Sequence, residues 1–155
     1  RYPRAELQDC RKIYLETGDI GRVIALLEQK FLSFLRDGLK LEDAIVAQIM
    51  EHKWGLAGYR DEDGSIIVTK IPKSGEIHAY FEETDPQKKR AIYCHCPRIR
   101  SALSTGIDIS PTYCYCGAGY YKAMWEEVLQ RPVTVELMKS VLKGDDNCTF
   151  RILVT

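Results

Sequence analysis

The sequence predicts an α/β fold of the α+β kind, a single domain over residues 1–155 with a helical part at 1–60 and an α/β part at 61–155. Three observations predict it. Apolar residues recur at three- and four-residue spacing through the first part. In the second part they alternate along several short runs, the period of a strand. The chain then closes on a helical pattern followed by two alternating runs, a helix and then a β-hairpin.

Pro3 and Gly18 bracket a first helix, the start-and-stop asymmetry helices favour, with Leu7, Cys10, Ile13 and Tyr14 toward one face. Asp19 caps a second, in which Ile20, Val23, Ile24, Leu27, Phe31 and Phe34 repeat at three and four until Gly38. A third covers residues 40–55, with Leu41, Ile45, Gln48, Ile49 and His52 in nearby positions. Asp63-Gly64 is a turn signal, and the β-branched run 65–71 reads as a strand broken by Pro72 and Gly75. Residues 76–83 alternate Ile77, Ala79 and Phe81 against His78, Tyr80 and Glu82, a second strand with His78 facing solvent. Residues 84–89 read as a surface turn or a short capped helix. RAIYCHC, 90–96, is a third strand ended by Pro97, and 98–112 a Gly/Ser/Thr-rich connection with one helical turn. In the segment 117–130, Tyr121, Met124, Trp125 and Val128 align along an amphipathic helix that Pro132 stops, and Glu126-Glu127 form its solvated face. The runs 133–142 and 148–154 are the hairpin strands, with a tight turn at 143–147.

Lys+Arg and Asp+Glu are 22 each, so the formal net charge is zero and no basic footprint for nucleic acid exists. No apolar run approaches the roughly 20 residues that span a bilayer, and the opening RYPRAELQDC lacks a secretory apolar core. The sequence does not begin with Met, which leaves its native start open. These features place it in the cytoplasm, where the six cysteines are reduced thiols or metal ligands rather than a disulfide framework.

The cysteines carry the chemistry. YCHCP, 93–97, and YCYCG, 113–117, are two Cys-x-Cys pairs. In an extended segment residues i and i+2 share a side, so Cys94 with Cys96 and Cys114 with Cys116 present four thiolates that suit tetrahedral zinc. The spacing strains that site. Such residues stand about 6.6 Å apart, whereas zinc bonds of about 2.3 Å bring sulfurs to under roughly 4 Å, so the backbone must kink near Pro97 and Gly117. A second reading is nucleophilic. Cys116 precedes GAGYYKAMWEE, where unpaired amides and the helix dipole favour a thiolate and the glycines let a ligand reach the backbone, with His95 or His78 as the base. The third reading is inert buried thiols. Tyr113, Tyr115, Tyr120, Tyr121 and Trp125 crowd the same region, as core or as the wall of an aromatic ligand pocket.

Residues 117–154 resemble the closing unit of the 4-vinyl-reductase-type small-molecule-binding domains and their relatives, the TRAPP-type trafficking subunits. The run through RPVTVEL to Gly144 and Cys148-x-Phe150 also resembles the L-2-amino-thiazoline-4-carboxylate hydrolase-like proteins. The likeness covers about a quarter of the chain. It implies helices packed on a twisted, mainly antiparallel sheet with a pocket between them for an apolar or aromatic molecule. It also implies a zinc held by a Glu and several Cys near the hairpin. Glu136 and Cys148 match two such ligands, but Ser140 stands where a further Cys is expected.

The leading expectation is therefore a small-molecule-binding sensor or carrier, dimeric through a helical face, with its pocket near residues 93–125 and zinc at the paired cysteines. The alternative is a cysteine-dependent hydrolase using Cys116 or Cys114. A structural role, with thiols that only pack, is the third.

Overall fold

A computed structural model describes residues 4–155. The start of the first helix at Pro3 lies outside the described residues. A 3-10 turn, Arg4–Leu7, leads into α1, Gln8–Thr17, which ends at Gly18 in the left-handed conformation. Asp19 caps α2, Ile20–Ser33, its carboxylate accepting from the Arg22 amide at 3.2 Å. The helix then widens into a π-turn, Phe34–Gly38. Leu7, Cys10, Val23, Leu27 and Phe31 are buried, the stripe that helical spacing predicts, but at its end Leu35 is buried in place of Phe34, which is exposed where the chain widens into the π-turn. A third helix, α3, covers Asp43–Glu51.

Four antiparallel strands form one sheet in the order β1-β2-β4-β3: β1 Tyr59–Arg60, β2 Ile66–Thr69, β3 Thr134–Lys139 and β4 Thr149–Leu153. The central strands carry the apolar residues: Ile66, Val68, Phe150 and Ile152 are buried. The hairpin connection is looser than a tight turn, with a 3-10 turn at Val141–Lys143 and Gly144 at φ 94°.

Two expected strands are helices. Residues 76–83 form α4, Ile77–Glu82, with Ile77 and Tyr80 buried at helical spacing. The first four residues of the run 90–96 belong to α5, Pro86–Tyr93. Asp85 decides the matter locally, its carboxylate accepting from the Gln87 and Lys88 amides at 2.9 and 3.0 Å, with Pro86 pre-set at the first helical position. Pro97 likewise opens a helix instead of ending a strand: α6 runs Pro97–Thr105 through what reads as a connection. Only Cys94-His95-Cys96 between them stays extended.

The helix at 117–130 forms as expected, α7, Tyr115–Leu129. It packs on α1 on one side and on β3 and β4 on the other, with Tyr121, Met124, Trp125 and Val128 all buried. Glu126 and Glu127 are tied rather than solvated. Glu126 accepts from Lys122 at 2.5 Å and from the Val133 amide at 3.1 Å, and Glu127 pairs with Arg11 at 2.9 Å.

Candidate functional site: a thiol cluster beside an open groove

The short extended link between α5 and α6 does for Cys94 and Cys96 what a strand would have done. Both turn inward, Cys94 buried and Cys96 half-buried, while His95 is exposed. The second pair behaves differently because it is helical. Residues two apart on a helix point about 200° apart around the axis. Cys114 therefore joins the buried stripe with Gly117, Ala118 and Tyr121, and Cys116 faces out. Cys114 and Cys116 do not share a side.

Cys148 fills the gap. It sits just before β4, buried, and each of Cys94, Cys114 and Cys148 lies within electrostatic reach of the other two. Cys96 acts on Cys94 and Cys114, and the exposed Cys116 acts on Cys114 as well. Burial pushes all three thiols up, Cys148 to about 11. The Cys94 thiol donates to the Cys96 carbonyl at 3.9 Å. Cys114 Sγ is 2.9 Å from Ser140 Oγ. The Val141 amide reaches Cys148 Sγ. Ser140 is fully buried and its Oγ also accepts the Leu142 amide at 3.1 Å, with either the hydroxyl or the thiol donating in its bond to Cys114. Tyr93 braces the cluster from below: its hydroxyl donates to the Lys70 carbonyl at 2.5 Å and accepts from the Cys148 amide at 3.0 Å. All six cysteines are free thiols, and among the described residues no three His, Cys, Asp or Glu groups stand ready to hold a metal ion.

An open groove of about 1820 Å³ runs past the cluster, between α2, α7 and the segment after β2. Cys116, His95 and Lys70 line it together, with Tyr120, Tyr121, Phe31 and Phe34. His95 Nε2–H donates to the Ile71 carbonyl at 2.9 Å. The residue as a whole is exposed, but its ring sits against the Ile71 backbone and is partly desolvated, which with Lys70, Lys73 and Arg100 nearby holds its pKa below the usual histidine value. His78 lies elsewhere, 2.8 Å from Glu42.

The aromatic wall is thinner than the sequence suggests. Tyr120 and Tyr121 line the groove; Tyr113 and Tyr115 are exposed outside it, and Trp125 is 0% exposed in the core, its indole N–H without a partner among the described residues. Glu136, the other hairpin residue that zinc would use, is exposed on β3. Gly117 and Gly119 of α7 both line the groove, Gly117 with its inner side against Phe150 and Gly119 with open space where a Cβ would stand. The sequence alone does not single out Lys70, Tyr93 or the bond between Ser140 and Cys114. Their signal is tertiary: Lys70 and Cys148 meet because β2 pairs with β4 and the Lys70 amide continues the ladder to the Cys148 carbonyl at 3.0 Å.

Fold and site together define an α+β domain in which a buried thiol cluster adjoins an open groove. The chain belongs to the Family of unknown function (DUF6144), whose model matches residues 36–155 and so takes in every cysteine except Cys10. No curated protein and no solved structure matches it. Among the described residues no helix is long and apolar enough to cross a membrane.

Proposed function

We propose that this chain is a small-molecule-binding domain of the sensor or carrier kind, its ligand lying in the groove between α2 and α7. The observation that carries this reading is the groove itself. It sets the apolar and aromatic residues Phe31, Phe34, Leu56, Tyr120 and Tyr121 among polar and charged ones that include Asp9, Lys30, Lys70, His95 and Glu126. The likeness of residues 117–154 to small-molecule-binding domains supports it. A ligand here is a small molecule with an apolar or aromatic body. The protein works in the cytoplasm, as a dimer through the outer faces of its first helices, where Leu15 is exposed. Sedimentation at rising concentration tests the dimer; a monomer throughout rejects it.

An anilinonaphthalene sulfonate dye, aromatic and anionic, tests the groove. Saturable binding with about one dye per chain is the expected result. Gly119→Trp should abolish it, because Gly119 lines the groove and a Cβ there meets nothing within 4 Å. Absent or non-saturable binding, or binding that Gly119→Trp leaves intact, rejects the reading.

One observation favours a second reading, a cysteine-dependent hydrolase of the L-2-amino-thiazoline-4-carboxylate hydrolase-like type. Cys116, an exposed thiol in the first turn of α7, lines the same groove as His95. It predicts that thiazoline carboxylates are hydrolysed by the wild type and not by Cys116→Ser. No turnover, or turnover that survives Cys116→Ser, removes it.

A further inference from the structure

Phe31 lines a second, smaller cleft as well as the groove. The cleft measures about 450 Å³, within the size range of small-molecule sites. It lies between α2, the end of α3 and β1. Ile24 and Phe31 from α2, Met50 from α3, and Trp54 and Tyr59 from the segment that follows give it an apolar and aromatic wall. Three charged side chains, Glu28, Lys53 and Arg60, line it as well, and all three are exposed.

The wall is set before any ligand arrives. The Gly55 amide donates to the Thr69 carbonyl at 2.8 Å, which ties the segment after α3 to β2. Gly58 has φ 66°, and the Ile67 carbonyl occupies the place where its Cβ would stand, so only glycine lets the two backbones approach. Trp54 is 7% exposed; its ring lies 6.1 Å from Phe81 in a stacked arrangement and meets Tyr80 and Tyr93 edge-on. The charges, in contrast, are left over. Lys53 Nζ stands 5.0 Å over the Tyr59 ring. Neither it nor Arg60 pairs with a carboxylate, and Glu28 pairs with no cation, among the described residues. Two cations against one anion leave the cleft one positive charge in excess.

We propose that this cleft is a second binding site, for a small apolar carboxylate. The aliphatic or aromatic body lies against Ile24, Met50 and Trp54, and Lys53 and Arg60 take the carboxylate. A single negative head matches the excess charge, and an apolar body matches the wall. The site stands apart from the groove ligand: Gly119→Trp, which fills the groove, should leave the cleft able to bind.

The probe is octanoate, with octanamide as its uncharged match. Amide NMR on the full wild-type chain locates it. The expected result is saturable shifts, about one octanoate per chain, centred on the Trp54 indole N–H and the Gly21, Gly58 and Tyr59 amides, with Gly117 and Gly119 in the groove unmoved. Octanamide should bind about fivefold more weakly, and the Lys53→Gln, Arg60→Gln double variant should lose octanoate affinity by a similar factor. The absence of saturable shifts overturns the proposal, as do shifts centred on Gly117 and Gly119, which would return the ligand to the groove. Equal affinity for octanoate and octanamide overturns the carboxylate assignment, and that comparison needs no variant. Octanoate shifts kept in Gly119→Trp, where the dye no longer binds, separate this site from the groove; loss of both together overturns it.

Discussion

Tyr93 shows how much one hydroxyl can hold. It is 1% exposed, and its oxygen joins β2 to the start of β4 by donating to one backbone group and accepting from another. Tyr93→Phe keeps the ring and leaves a buried amide and a buried carbonyl without that partner. Each such orphan costs about 1–3 kcal/mol. With two such groups, urea denaturation should show a loss of about 2–6 kcal/mol; a midpoint equal to wild type would mean that water replaces the hydroxyl. Cys10 supplies a pH prediction away from the cluster. Burial, then the charge of Asp9, raises its thiol from 9.0 to about 11. A raised acid favours the protonated folded state. Its contribution is full below pH 9 and is lost as the pH rises toward about 11. Cys10→Ala should flatten that part of the alkaline stability curve, and an unchanged slope counts against the burial argument.

At the scale of the element, α7 is fixed at both ends. Near its start a Cβ on Gly117 would come within 2.6 Å of Phe150 Cζ, and Phe150 is itself buried in the sheet. Gly117→Ala should therefore destabilise by about 1–3 kcal/mol, the usual cost of overpacking. Gly119→Ala, two residues on and with nothing within 4 Å, should stabilise by about 0.5–1 kcal/mol through lower backbone entropy in the unfolded chain. Thermal denaturation of the two variants should move in opposite directions; shifts of the same sign would break the argument. At the far end Lys122 and Glu126 grip Val133 on both its carbonyl and its amide, at 2.6 and 3.1 Å. Lys122, then the Val133 amide, hold the Glu126 carboxyl below its usual 4.5. A depressed carboxyl stabilises above that value and loses its effect as the pH falls through the lower folded-state one. Glu126→Gln should lower stability at neutral pH and narrow the gap to wild type in acid.

On the scale of the whole molecule, the helices of the first part, α7 and the closing strands were legible because their patterns repeat over many turns or pairs. Short segments were not. Ile77, Tyr80 and Phe81 fit both a two-residue and a three-residue period over so few positions, and packing chose the helix. The stretch before Cys94 looked like a strand because Ile92 and Tyr93 are strand formers, while the Asp85-Pro86 start signal lay a few residues upstream. The same error reached the site. With 90–96 extended and 114–116 extended, the motif pairs close on each other; with 114–116 helical, one thiol of the second pair leaves. By itself the sequence determined the fold class and the neighbourhood in which function sits, because periodicity and cysteine spacing are local properties. Only the tertiary structure decided which thiols meet and that Lys70, Ser140 and Tyr93 meet them, because those contacts depend on strand register and helix rotation between segments far apart in the chain.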